Sequence, residues 1–211
     1  MHAGARAGRN PVSQFVVATE LRDVPLTDTW DDFSERVEAA PSWAEIRGMF
    51  LREILRLEPR VRTPHPDYVA FSLYPVREYM QLLLDAARMK YPDKKPADAL
   101  LELGLGVYAL FARSLSGIAI FSVAGSNFTR ICELSSKAYS VTLKPGDAKL
   151  AKSEPGYALV QLRDVWPFPE CFHCGIWMGA MQACKVQGSI EVTRLSPSDV
   201  NLAITWHRAG G

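Results

Sequence analysis

The spacing of apolar residues changes near residue 140, and that change restricts the fold more than any other feature of the chain. Before it, apolar residues recur every three or four positions, as on one face of a helix. After it they alternate, as on one face of a strand. Thr27 or Asp28 can cap a first helix through Ala39, with Trp30, Phe33 and Val37 on one side. Ser42 is placed to cap a second helix carrying Ile46, Met49, Phe50, Ile54 and Leu57, stopped before Pro59. Residues 60–74 hold Pro64 and Pro66 and read as loop. Pro75 opens a third helix up to Tyr91, with Tyr79, Leu82, Leu83 and Ala86 inward. A turn over 92–96 leads to a fourth helix over 97–115. A fifth starts near 118–121 and runs into 127–138.

Strand signals then take over. Ser140 to Leu143 is β-branched or apolar and ends at the turn Pro145-Gly146. Residues 157–162, 189–195 and 201–207 alternate, the last with Leu202, Ile204 and Trp206 on one face, and the final two strands form a hairpin. One helix over 169–186 lies between them, with Phe172, Ile176, Met178, Ala180 and Cys184. A short strand is expected over 16–24. The order predicts an α+β fold: an N-terminal helical layer, then a C-terminal antiparallel sheet with one intervening helix.

Composition fits one domain. The chain has 211 residues, 48% hydrophobic and 22% charged, enough to bury a sizeable core. Residues 1–12 read as a disordered terminus and 13–211 as a single domain. Lys plus Arg number 24 against 23 Asp plus Glu, so the charge footprint of a nucleic-acid binder or a polybasic membrane patch is missing. Residues 103–125 contain one charged residue, Arg113. Its position near the middle, beside Ser114, Ser116 and Gly117, argues for two buried segments and no membrane span. Cys132, Cys171, Cys174 and Cys184 do not spread like a disulfide framework, and the opening MHAGARAGRN lacks the apolar core of a signal peptide. A cytoplasmic protein with reduced thiols is expected.

Cys171-Phe172-His173-Cys174 is the one local motif with chemistry behind it. A C-x-x-C at a helix start can lower a thiol's pKa, and the three residues could ligate a metal with Cys184 as a fourth. Against this, Cys171, Cys174, Met178 and Met181 form one helical stripe of ordinary core residues. Cys184 is more than three turns along the same helix. The remaining candidates are weak. Leu103-Gly104-Leu105-Gly106 lacks the rest of a phosphate loop. Gly175 and Gly179 mark close helix packing. No serine-histidine-aspartate order or metal-spaced histidine pair is visible, so catalysis is not the expected role.

The sequence IRGMFLREILRLEP in an early helix, Gly48-Met49-Phe50-Leu51 within it, and Phe172, Gly175 and Gly179 in the late helix resemble the H-NOX (haem-nitric-oxide/oxygen binding) fold, shared with the four-vinyl reductase domain and TRAPP trafficking subunits. The phrases GMFLREILRLEP and YPVREYMQLLLDAARMKYP are also similar to an uncharacterised family restricted to myxobacteria. The likeness covers roughly residues 41–206. H-NOX proteins hold haem with a histidine on the helix before the sheet and a Tyr-x-Ser-x-Arg motif for the propionates. Here residues 127–138 contain no histidine, residues 162–166 lack that motif, and none of His2, His65, His173 or His207 matches the position. Cys132 offers a thiolate on that helix, although a lone buried cysteine is usually packing. Four-vinyl reductase-like domains carry a cysteine cluster for zinc near the last hairpin. This chain has Glu191 there, with Leu195 and Leu202 where cysteines would stand.

The resemblance therefore implies a haem-free, cofactor-free regulatory module that binds an apolar small molecule or a protein partner. Phe111, Leu115, Phe121, Phe128, Cys132 and Trp177 are the candidate pocket lining. A homodimer is expected, because the mid-chain helices are apolar on more than one face. The alternatives are a thiol-redox or metal protein centred on Cys171, His173 and Cys174, and a TRAPP-like scaffold subunit without ligand.

Overall fold

The computed structural model describes residues 17–21, 29–113 and 125–208, with side chains described over 29–110 and 125–208. The expected disorder of residues 1–12, and the expected break and fifth-helix start over 114–121, lie outside the described residues. So do the side chains of Phe111, Leu115 and Phe121.

The elements follow in the order β1 (Val17–Leu21), α1 (Trp30–Ala39), β2 (Glu45–Arg47), α2 (Gly48–Leu57), β3 (Leu73–Pro75), α3 (Val76–Lys90) and α4 (Pro96–Arg113). Then come α5 (Phe128–Thr142), β4 (Leu143–Lys144), β5 (Asp147–Glu154), β6 (Tyr157–Arg163), α6 (Phe172–Ala183), β7 (Val186–Arg194) and β8 (Val200–Arg208). The class is α+β, with one helix set into the C-terminal sheet. None of the described helices is long and apolar enough to cross a membrane.

The larger sheet runs β1-β7-β8-β6-β5. Its inner face comes from strict alternation: Ala158, Val160 and Leu162 on β6 stand opposite Ile204, Leu202 and Val200 on β8, and all six are buried. Each such aliphatic side chain taken out of water contributes on the order of 1.5–3 kcal/mol. Most of the sheet is antiparallel, as expected, but β1 pairs with β7 in parallel. β5 carries no alternation in its sequence DAKLAKSE because it is an edge strand with most residues exposed, and sequence reading misses it.

Two expected boundaries move. Ser42 does not cap α2. Ile46 sits in β2, which pairs with β3 on one side and β4 on the other, and α2 starts only at Gly48. Residues 140–142 do not begin a strand. The hydroxyls of Ser140 and Thr142 donate to the carbonyls of Lys137 (3.0 Å) and Ala138 (2.6 Å), and α5 continues to Thr142. Helix starts are satisfied locally: Thr29, in place of the expected Thr27 or Asp28, forms a capping box with Asp32 on α1, and the Asn127 side chain accepts from the Arg130 amide on α5.

The apolar second face of α4 is met by α6. The two helices cross at Gly104 and Gly175, close enough to bring backbone against backbone. α1 is fastened to the sheet half through a buried ion pair. Arg36 holds Glu170 with both terminal nitrogens, one of them at 3.0 Å, and also donates to the Pro197 carbonyl. The rings of Phe33 and Phe168 lie against its guanidinium at 5.1 and 5.2 Å.

Candidate functional site

α5 and α6 present their facing stripes to a cavity of about 500 Å³ among the helices, closed on one side by β2 and β4. Helical spacing selects the wall. On α5, Ser135, Ala138, Tyr139 and Thr142 fall on one side. On α6, His173, Ile176, Trp177 and Ala180 do the same. Ile46, Met49 and Phe50 close one end, and Tyr79, Val107 and Phe172 the interior. Phe71 and Val141, which also line the cavity, are exposed and form its rim. Arg47 ties that rim together, donating from Nε to the Val141 carbonyl at 2.6 Å and from Nη1 to the Phe71 carbonyl at 2.9 Å.

The wall is apolar apart from a small polar group on one side. The Tyr139 hydroxyl and His173 Nδ1 are 2.7 Å apart, and the two rings lie tilted with centroids 5.4 Å apart. His173 is buried, and among the described residues its Nε2 has no hydrogen-bond partner. Burial alone pushes its pKa down to about 3, so the imidazole is neutral at physiological pH. Burial also raises the Tyr139 hydroxyl well above the ordinary phenol value. The Trp177 indole N–H opposes that rise from nearby without reaching hydrogen-bond geometry, and among the described residues it too is buried without a partner.

The expected site residues are placed as follows. Trp177 lines the cavity. Phe128 stands behind it, edge-on to Trp177 at 6.3 Å and to Trp206 at 4.9 Å. Cys132 is fully buried on α5, where its carbonyl accepts from Ser135, and it is outside the described lining. Sequence reading named His173 only as part of Cys171-Phe172-His173-Cys174. In the fold the histidine reaches the cavity and the two cysteines do not. The signal that could have separated them is the spacing of four between His173 and Trp177, two polar-headed aromatics on one helical face.

The cysteines are packed away. All four are free and buried. Burial, reinforced by Glu170, raises the thiols of Cys171 and Cys174 well above the usual range. Burial pushes Cys184 up to about 11 and Cys132 up to about 12. Thiolate chemistry needs the opposite shift. Among the described residues no group of three His, Cys, Asp or Glu side chains is placed to hold a metal ion.

The resemblance to H-NOX implies haem, and the cavity can be tested for it. α5, the helix before the sheet, holds no histidine. The lining histidine is His173 on α6, and it offers one neutral nitrogen. The Tyr-x-Ser-x-Arg set that holds the propionates is missing, and Arg47, the only Lys or Arg in the described lining, already gives two of its nitrogens to carbonyls. The described residues do not fit a haem.

The fold is that of H-NOX domains. An unliganded Fe(II) H-NOX protein from K. algicida superposes with a TM-score of 0.55 at 11% identity, covering 87% of this chain and 98% of that one. An S. oneidensis H-NOX protein in the Fe(II)NO state gives 0.54 at 14% identity, with 77% and 100% covered. An oxygen-binding H-NOX domain related to soluble guanylate cyclases, in its oxygen complex, gives 0.57 at 11% identity, with 76% and 93% covered. No curated protein matches the chain. A family model does match, over residues 44–207, which takes in the cavity and the larger sheet except β1 and the end of β8. The chain belongs to the family described as "Protein of unknown function (DUF2378)".

Proposed function

We propose that the chain is a haem-free sensor or regulatory module that binds one apolar small molecule among its helices. The observation that carries this reading is the cavity itself. It measures about 500 Å³, and its described wall is mostly apolar. Pockets of that size and make-up take small organic ligands. The cavity opens at the rim of Phe71 and Val141, so a ligand can enter it, and burying its apolar wall against an apolar body is favourable. The H-NOX-like fold supports a sensor role, since relatives of that fold are described in oxygen and nitric oxide complexes. A neutral imidazole and a phenol in an apolar wall suit holding a ligand more than turning one over.

The test is a titration of the purified chain with N-phenyl-1-naphthylamine, a neutral probe that fluoresces in apolar surroundings. Saturable one-to-one binding is expected in the wild type. Ala138→Trp, which fills the cavity from α5, should abolish it with an unchanged circular dichroism spectrum. Unsaturable binding, or binding indifferent to the filled cavity, would overturn the reading. Stoichiometric uptake of added haem with a Soret band lost in His173→Ala would overturn the haem-free part.

A further inference from the structure

We propose that the occupant is an amphiphile, with its apolar body inside the cavity and one carboxylate head at the mouth, and that Arg47 holds the head. This rests on the reading of the cavity as a small-molecule site and names the class of ligand it takes.

The argument starts from charge. The described lining contains no Asp, Glu or Lys, and Arg47 carries its one fixed charge. Arg47 makes no ion pair with any described residue. Its partners are the backbone carbonyls of Val141 and Phe71. Carbonyls orient a guanidinium and leave its positive charge in place. Glu45, two residues away on β2, stands opposite Lys144 of β4 in the sheet and is not paired with Arg47. A cation at the edge of an apolar cleft attracts an anion more strongly than one in open water, because the low-dielectric wall focuses its field.

The geometry limits the head to one. A guanidinium has five N–H donors. Nε gives its donor to Val141 and Nη1 gives one to Phe71, so three remain, on Nη1 and Nη2. Nη2 has no partner among the described residues and is not shut away from solvent. Three donors on one planar fork suit the two oxygens of a single carboxylate. The same three do not serve the two propionates of a haem. Phe71 is 75% exposed and Val141 55%, so the guanidinium tied to them stands at the entrance, where a head group keeps water on its outer side. A carboxylate pushed further in would meet an apolar wall without a counter-charge, which is unfavourable. The tail therefore enters and the head stays at Arg47.

The experiment compares three compounds with one tail: decanoate, decanol and decylammonium. Each displaces N-phenyl-1-naphthylamine from the full chain at neutral pH and low salt. Decanoate should bind at least about tenfold more tightly than decylammonium, and the gap should narrow in high salt. In Arg47→Gln decanoate should lose about tenfold, the usual yield of a hydrogen bond to a charged group, while decanol binding holds. An Arg47 that merely clamps the rim would weaken decanol as much as decanoate when replaced, and that result overturns the inference. Should the variant fail to fold, the two ions on the wild type decide alone. Equal affinity for them, with decanol still bound, overturns the inference and leaves the cavity reading intact. Displacement by none of the three overturns both.

Discussion

Gly104 and Gly175 meet where α4 crosses α6, and neither has room for a single extra carbon. A Cβ at Gly104 would lie 2.0 Å from the Phe172 carbonyl oxygen, and one at Gly175 would lie 1.9 Å from that of Leu101. Real contacts of that kind do not occur, and the obstacle is backbone, which cannot rotate away. Gly104→Ala or Gly175→Ala should therefore force the helices apart and lower stability by about 3 kcal/mol, read as a shift in the urea midpoint. Gly106→Ala is the control on the same helix. Its Cβ would meet only the Leu57 side chain, at 3.4 Å, and helix propensity favours alanine by up to about 1 kcal/mol. Equal losses at all three positions would contradict the close crossing.

The buried pair of Arg36 and Glu170 should behave asymmetrically. Arg36→Met removes the cation and leaves the Glu170 carboxylate in the core, at a cost of about 3–5 kcal/mol. The double variant Arg36→Met with Glu170→Met removes the stranded charge as well and should recover much of that loss. Equilibrium denaturation of Arg36→Met, Glu170→Met and the double variant gives the coupling directly. A double variant as unstable as the sum of its parts would show that the two residues act separately.

Acid should destabilise the fold through His173. Its folded pKa lies near 3, below the unfolded value of about 6.5, so the unfolded chain binds the extra proton first. Stability from this group is complete above about pH 6.5 and is lost as pH falls toward 3, at a slope approaching 1.4 kcal/mol per pH unit. Glu58 is also held low, at about 2, chiefly by its bond from Arg60, but its share is lost only below the ordinary glutamate range. Between about pH 6 and 5 the His173 contribution is therefore separable, and a folded His173→Phe should show a flatter stability profile there. An identical slope in the variant would remove His173 from the account.

The four thiols should be silent in the native protein. All are buried with raised pKa values, so iodoacetamide at neutral pH should label none of Cys132, Cys171, Cys174 and Cys184 until the chain is denatured. Mass spectrometry of alkylated protein counts the labels. Fast modification of Cys171 or Cys174 in the folded state would revive a redox role for that segment.

Where the chain itself dictates a face, the sequence was readable. Val76–Lys90 buries Tyr79, Leu82, Leu83 and Ala86 as its spacing demands, and every second residue is buried along β6 and along β8 as far as Ile204. Elements set by partners far along the chain were hidden. β2 is three residues long, too short to show alternation, and exists because β3 and β4 flank it. Ser140 and Thr142 look like strand formers, yet their hydroxyls bond back into α5. The site divides the same way. Trp177 is a large aromatic on an apolar helix and could be named in advance. Tyr139 and His173 lie 34 positions apart, and nothing local in either segment announces that one orients the other.

β1 lies along the outer edge of β7, and the family match begins at residue 44, beyond both β1 and α1. A chain shortened to the matched region would keep the cavity but lose two covers at once. Glu170 would lose the guanidinium that neutralises it. The outer rim of β7 would be left with open amides and carbonyls along Ile190 to Arg194, a template onto which another strand can add. Oligomers seen with such a fragment would then report a freshly cut border, and the association state of this protein is properly measured only with the segment through Ala39 in place.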